Sequence, residues 1–125
     1  MLQLERGTEF ATTGDGFLLF WPGSDSSAAV RTMLDINNRV SSVGVSIRTG
    51  LHWGEFRSAG RDVAGIEVHI ASRVMNLAVS NQVLATGSVV DLMGAAIAIV
   101  SLPTEHQLKG VIPPGWYTHS LSPVL

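Results

Sequence analysis

Two segments whose apolar residues recur at helical spacing, separated by short strand-like runs, constrain the fold more than any other feature of the sequence. A first helix is predicted over 26–40, where the spaced positions are Ala29, Val30, Met33, Leu34 and Asn37. A second helix is predicted over 65–79, with a buried stripe made of Ile66, Ile70, Val74 and Leu77. The run Ser24-Asp25-Ser26-Ser27 is typical of the N-terminal cap of the first helix.

Short strands are predicted on both sides of these helices. Their ranges are 8–13, 17–21, 43–51, 82–85, 96–101, 105–108 and 116–120. Gly14-Asp15-Gly16 separates the first two strands and predicts a hairpin. The segment 57–64 is predicted as a polar loop, and 89–93 as a short helix capped by Ser88. Strands mixed with helices predict an α+β domain, with the helices over one face of a mainly antiparallel sheet.

Composition bounds the class of protein. The 125 residues, 46% apolar and 14% charged, fit one compact domain over 1–125. Cysteine is absent from the sequence, which excludes disulfides, zinc–thiolate sites and cysteine nucleophiles. The net charge is −2 and Lys109 is the single lysine, so neither a nucleic-acid surface nor a polybasic membrane patch is predicted.

Neither a membrane span nor a secretion signal is predicted. The longest apolar run, Met93–Val100, is far shorter than a bilayer-spanning helix. The first residues lack the basic start and the apolar stretch of a signal peptide. We therefore expect a cytoplasmic domain.

Asp15 is the first candidate for chemistry. A carboxylate at a rigid hairpin tip suits Mg²⁺, which takes a few carboxylates together with substrate phosphates. Aspartate is also a standard turn residue, so the spacing by itself favours Asp15 as part of the turn.

Asp62, His69 and Arg73 form a second group. His69 and Arg73 are four residues apart and share one face of the predicted helix, and Asp62 lies in the segment that precedes it. A guanidinium at that place can hold phosphate oxygens, because its donors match the geometry of an oxyanion. The alternative is a solvated helix face with an ordinary arginine–carboxylate pair.

Lys109 and His52 are further candidates. Lys109 precedes Gly110 at the end of a predicted strand, where it either holds a phosphate or is simply exposed beside a turn. His52 follows a predicted strand and is more typical of a structural than of a catalytic histidine. His106 and His119 have no metal-ligand spacing with His52, so no histidine metal site is predicted.

Four runs, taken in chain order, resemble the class III adenylate/guanylate cyclase catalytic domain in the form found in bacteria. They cover nearly the whole chain, and each is weak by itself while the ordered set is specific. The runs are Thr13-Gly14-Asp15-Gly16-Phe17, Ile47-Arg48-Thr49-Gly50-Leu51-His52-Trp53-Gly54-Glu55, Asp62-Val63-Ala64-Gly65-Ile66-Glu67-Val68-His69-Ile70-Ala71-Ser72-Arg73-Val74 and Leu108-Lys109-Gly110-Val111.

The resemblance implies a fold, a reaction and an assembly. The fold is the ferredoxin-like nucleotide cyclase fold. ATP is cyclised to cAMP with release of pyrophosphate, when the ribose 3′-hydroxyl attacks the α-phosphorus with the help of two Mg²⁺ or Mn²⁺ ions. The family works as a dimer with sites built from both subunits, so we expect a homodimer or a heterodimer with another cyclase domain.

The resemblance also assigns roles to residues. Asp15 matches a metal-binding aspartate, and Asp62 matches the aspartate that recognises adenine. Arg73 matches the arginine that stabilises charge on the reacting phosphate. Lys109 matches the lysine that contacts phosphate, and His69 takes the place of the asparagine that orients the ribose.

The sequence departs from the family in two further respects. The opening strand, which carries the other metal-binding aspartate in a Phe-Thr-Asp-like run, has no counterpart, and neither Glu5 nor Glu9 stands in such a context. Ala11 takes the place of the family's adenine-selecting lysine, so base choice would depend on Asp62. We therefore expect the C-terminal portion of a cyclase domain, inactive as this isolated chain.

Three alternatives to an active cyclase domain stay open at this point. A non-catalytic pseudo-cyclase would bind nucleotide or dock on a partner cyclase as a regulatory or dimerisation module. A truncated gene remnant would do neither. A generic α+β domain would use every polar residue named above for structure alone.

Overall fold

The computed structural model describes most of the chain. The described residues are 9–12, 16–21, 26–54, 57–59, 62–64, 66–94, 98–100, 104–105 and 117–123. The helices are α1 (Ser27–Ser42), α2 (Ile66–Leu77) and α3 (Gly87–Leu92). The strands are β1 (Glu9–Thr12), β2 (Phe17–Phe20), β3 (Thr49–Leu51), β4 (Arg57–Ala59), β5 (Asp62–Ala64), β6 (Val83–Thr86), β7 (Ala98–Val100), β8 (Thr104–Glu105) and β9 (Tyr117–Pro123).

The largest sheet has the order β3-β6-β9-β7, and β8 also pairs with β9. β3 and β6 are parallel, and every other pair in this sheet is antiparallel. β1 pairs with β2 and β4 pairs with β5 as two separate antiparallel ribbons. The predicted α+β class with mainly antiparallel pairing and the predicted hairpin between β1 and β2 are therefore confirmed.

The helices lie on both faces of the sheet, where the sequence analysis expected them on one. Alternate residues of a strand point to opposite faces, and β6 is buried along its whole length. One cluster joins β6 to α1 and α3 and comprises Val30, Leu34, Leu51, Val83, Ala85, Val89 and Leu121. The other joins β6 to α2 and comprises Ile70, Val74, Ala78 and Leu84. Because β6 runs between two helical layers, it is buried at all four positions and does not alternate between buried and exposed residues.

The segment 43–48 is a turn and a connection, although the sequence pattern predicted a strand from 43 onward. Gly44 has a φ of +83°, which glycine adopts without steric cost. The Val45 N–H donates to the Val40 carbonyl, so the chain is still bonded to the end of α1. Regular pairing with β6 begins only at Thr49.

The segment 57–64, predicted as a polar loop, contains the ribbon of β4 and β5. Its register pairs Arg57 with Ala64 and Ala59 with Asp62. Strands this short carry too little alternation to reveal a period, so only the polar character of the segment could be predicted.

Two details of the helices also differ from expectation. Ile66, expected in the buried stripe, is 59% exposed because it lies at the very beginning of α2. Ser88, expected to cap α3, lies inside that helix, and Thr86 occupies the N-cap position. Ser26 is the N-cap of α1 as predicted, but its hydroxyl donates to the Val89 carbonyl at 2.7 Å instead of capping the helix.

Across the described ranges, no helix is both long and apolar enough to cross a membrane.

Candidate functional site

The outer face of α2 carries two of the candidate residues. Ile70 and Val74 are 3% and 0% exposed and hold the inner face of α2 against the sheet. His69 and Arg73 are exposed. Because they are separated by one helical turn, about 6 Å along the axis, both can reach one ligand.

Arg73 and His69 form no ion pair with another residue in the described parts of the chain. The alternative considered above, an ordinary arginine–carboxylate pair on this face, therefore has no described partner. The forked donors of an exposed guanidinium match the geometry of an oxyanion.

Asp62 is the first residue of β5, which ends at Ala64, and α2 begins at Ile66. β5 contacts α2, the helix that carries His69 and Arg73. The Asp62 side chain lies outside the described part of the structure, so its place beside His69 and Arg73 stays a prediction.

Asp15 and Lys109 lie outside the described residues. Asp15 belongs to the segment that joins β1 to β2, whose ends are paired at Thr12 and Phe17. The roles predicted for Asp15 and Lys109 therefore stay predictions.

The metal ions implied by the resemblance have a suitable donor type in this chain. The carboxylate of Asp15 is a hard oxygen ligand of the kind that Mg²⁺ and Mn²⁺ prefer. Within the described ranges, no group of three or more His, Cys, Asp or Glu side chains is placed to hold a metal ion. The metal-binding role of Asp15 stays a prediction.

His52 is the centre of a buried polar cluster beside the beginning of α2. Its side chain is 2% exposed, and its Nε2 contacts Oε2 of Glu67 in the first turn of α2. Its Nδ1 lies 2.8 Å from Oγ1 of Thr86 at the end of β6. A carboxylate can only accept, so Nε2 donates to Glu67, and in the neutral ring Nδ1 accepts from the Thr86 hydroxyl.

Ser88 extends this cluster into α3. Its Oγ lies 2.9 Å from Oγ1 of Thr86, and it donates to the Trp53 carbonyl at 3.1 Å. The Trp53 N–H in turn lies 3.4 Å from the same Oγ. The loop after β3, the end of β6 and the beginning of α3 are joined by these contacts.

The sequence predicts a structural role for His52 and no role for Glu67. The available signal was the alternation of Gly50, His52 and Gly54, because residues two apart on an extended chain share a face. A glycine two residues before His52 and another two residues after it indicate a surface against which another element packs closely.

Comparisons with known proteins show the fold. No protein-family model matches the sequence, and no curated protein matches it. A crystal structure described as an adenylate/guanylate cyclase/hydrolase from Silicibacter pomeroyi is similar with a TM-score of 0.77 and 19% identity, over 94% of this chain and 73% of that chain. The crystal structure of the guanylyl cyclase Cya2 is similar with a TM-score of 0.64 and 20% identity, over 95% of this chain and 72% of that chain.

Proposed function

We propose that this chain, which has a class III cyclase-like fold, is a nucleotide cyclase-like domain of cyclic-nucleotide signalling. In an assembled dimer it would convert ATP to cAMP and pyrophosphate, as the ribose 3′-hydroxyl attacks the α-phosphorus. The observation that carries the proposal is the outer face of α2, where His69 and Arg73 are exposed side by side on a cyclase-like fold.

Arg73 and His69 have the chemistry that this reaction needs. In the proposed role, Arg73 donates hydrogen bonds to phosphate oxygens on which charge increases in the transition state. His69 donates a ring N–H to the ribose and so orients the attacking hydroxyl. Both are exposed, which suits residues that act on a ligand from outside the core.

Asp62, Lys109 and Asp15 complete the proposed set. The Asp62 carboxylate would accept from the exocyclic amino group of adenine, and this would favour ATP over GTP. Lys109 would contact phosphate oxygens as a point charge. Asp15 would bind a divalent cation, Mg²⁺ or Mn²⁺, which when bound supplies Lewis-acid stabilisation of the phosphate oxygens.

The proposal includes a dimer, because a solvent-exposed helix face alone does not enclose a triphosphate. A second cyclase domain, identical or related, would supply the opposite wall of the site. Of the metal ligands known for the family, the sequence offers only a match to Asp15. We therefore expect the 125-residue chain tested by itself to make no cAMP, and a complementing partner to be required.

Complementation tests this function. The chain is mixed with an intact cyclase homologue whose own phosphate-stabilising arginine is disabled, and cAMP is measured in the presence of Mg²⁺ or Mn²⁺. Restored cAMP formation is expected, and the same mixture with Arg73→Ala in this chain should remain inactive. Absence of restored activity, when dimer formation has been verified, would refute the catalytic proposal.

A non-catalytic pseudo-cyclase is the second candidate, and Ala11 favours it. This alanine, in β1, stands where the family has its adenine-selecting lysine. Calorimetry with ATP and Mg²⁺ separates the two candidates when it accompanies the complementation assay. Nucleotide binding or partner association without product would favour a regulatory module, and neither would favour a gene remnant.

A further inference from the structure

β3 and the loop after it present a strip of three alternate residues, Gly50, His52 and Gly54, to α2. A Cβ atom added at Gly50 would lie 2.7 Å from the Ala71 carbonyl oxygen and 2.8 Å from the Met75 Cα. Both neighbours are backbone atoms, so α2 packs directly on the backbone of β3 with no space for a side chain.

Gly54, at the other end of the strip, is approached by a side chain and not by a backbone. A Cβ atom there would lie 2.8 Å from Cγ of Glu67. The Glu67 side chain therefore lies across the Gly54 backbone on its way to Nε2 of His52. The strip thus contacts α2 in two places: at Glu67, in the first turn of the helix, and at Ala71 and Met75, farther along it.

His52 connects these contacts to the rest of the sheet. One ring nitrogen contacts Glu67 of α2, and the other lies 2.8 Å from Thr86, which is 1% exposed. Since both nitrogens have partners on different elements, the ring can neither rotate nor withdraw without leaving a buried polar group unpaired. The position of Glu67 is thereby fixed relative to β6.

Arg73 lies on the part of α2 opposite this strip. It stands midway in sequence between Ala71 and Met75, which approach Gly50, and two residues along a helix turn the side chain by about 200°. Six residues, or about 9 Å, separate it from Glu67. A displacement of α2 against the strip therefore displaces Arg73, and misplacement by about 1 Å can lower a rate roughly 100-fold.

We propose that His52 is a positioning residue, which holds α2 through Glu67 and thereby sets the place of the Arg73 guanidinium. The inference rests on the proposed function for the role of Arg73. It assigns a task to the polar cluster around His52. Contacts of Glu67, Ala71 and Met75 on one side of α2 would then determine where Arg73 lies on the other side.

Amide hydrogen exchange tests the holding of α2 without any need for activity. His52→Phe keeps most of the ring volume and removes both nitrogens. We expect exchange in α2 to become about tenfold faster, while exchange in α1 changes less than about twofold. Glu67→Gln retains an acceptor for Nε2–H and should leave α2 within about threefold of the wild-type chain. Asp35→Ala, which breaks an exposed pair on α1, is the matched control and should change neither helix.

Thr86 provides a second pair of variants if His52→Phe does not fold. Thr86→Val removes the hydroxyl at almost constant volume, whereas Thr86→Ser retains it. Faster exchange of α2 in Thr86→Val but not in Thr86→Ser supports the proposal. Unchanged protection of α2 in the folded variants, or an equal loss in α1 and α2, would overturn it.

The complemented assembly gives the second readout. We expect His52→Phe to lower kcat about tenfold or more, with KM for ATP within about twofold of the wild-type value. The separate variant Glu67→Gln should retain most of the wild-type rate. Full kcat in His52→Phe would overturn the positioning role. If the wild-type assembly makes no cAMP, the proposed function fails by itself, and the exchange measurement alone decides whether His52 holds α2.

Discussion

Gly50→Ala should destabilise the fold strongly, because the new methyl group would meet the backbone of α2. The added Cβ would lie 2.7 Å from the Ala71 carbonyl oxygen, and an ordinary separation of about 3.5 Å requires α2 to move away by roughly 0.8 Å. A gap of that size removes a quarter to a half of the dispersion attraction of the atoms it separates. Ile70 and Val74, buried on the inner face of α2, would lose packing against the sheet.

Overpacking of a core costs about 1–3 kcal/mol, and we expect about 3 kcal/mol here because backbone atoms cannot rotate away as a side chain can. Urea unfolding followed by circular dichroism measures this loss. With a slope of about 2 kcal/mol per molar urea, the midpoint should fall by roughly 1.5 M.

Gly87→Ala is the matched control. No atom lies within 4 Å of a Cβ added at this first residue of α3. Both substitutions restrict the unfolded chain to the same degree, so the difference between them reports the contact at Gly50. Gly87→Ala should leave stability unchanged or raise it by up to about 1 kcal/mol. If Gly50→Ala unfolds at the same midpoint as Gly87→Ala, the close approach of α2 to β3 is refuted.

Three further predictions concern the core and the base specificity. Ser26→Ala should lower the free energy of unfolding by about 0.5–1.5 kcal/mol, because the Val89 carbonyl loses the Ser26 hydroxyl but still accepts from the Met93 N–H; an unchanged urea midpoint would contradict this. Val74→Ala, at a site with 0% exposure, should cost about 2 kcal/mol in the same assay, whereas Asp35→Ala should cost less than about 0.5 kcal/mol. Asp62→Ala should reduce the ratio of kcat/KM for ATP to that for GTP in the complemented assembly, and an unaltered ratio would argue against base recognition there.

The helices could be predicted from the sequence because their inner faces repeat with the helical period. α1 and α2 begin and end within two residues of the predicted bounds, and Ile70 and Val74 are buried as predicted. The exposure of His69 and Arg73 follows from the same period. Each precedes a buried residue by one position, and one position along a helix turns the side chain by about 100° away from the buried stripe.

What could not be predicted depends on contacts between distant segments. The pattern of apolar residues does not show that Val83 and Leu84 face different helices, because both are simply apolar. The distribution of helices over two faces follows from that division. The β4–β5 ribbon was missed for another reason, namely that each strand is three residues long and mostly polar or small.

The inner face of α2 packs against the sheet, whereas its outer face presents His69 and Arg73 to solvent. The inner face of α2 lies so close to β3 that only a glycine fits at position 50. At the beginning of α2, the imidazole of His52 contacts Glu67 and, as proposed above, holds the helix there. An apolar contact alone would allow the helix to slide along the sheet, because dispersion is not directional. A hydrogen bond to an imidazole is directional, so the histidine between the two glycines restricts the sliding that the glycines would otherwise permit. A helix restrained in this way can present Arg73 at a constant place while its exposed face remains free to contact a ligand.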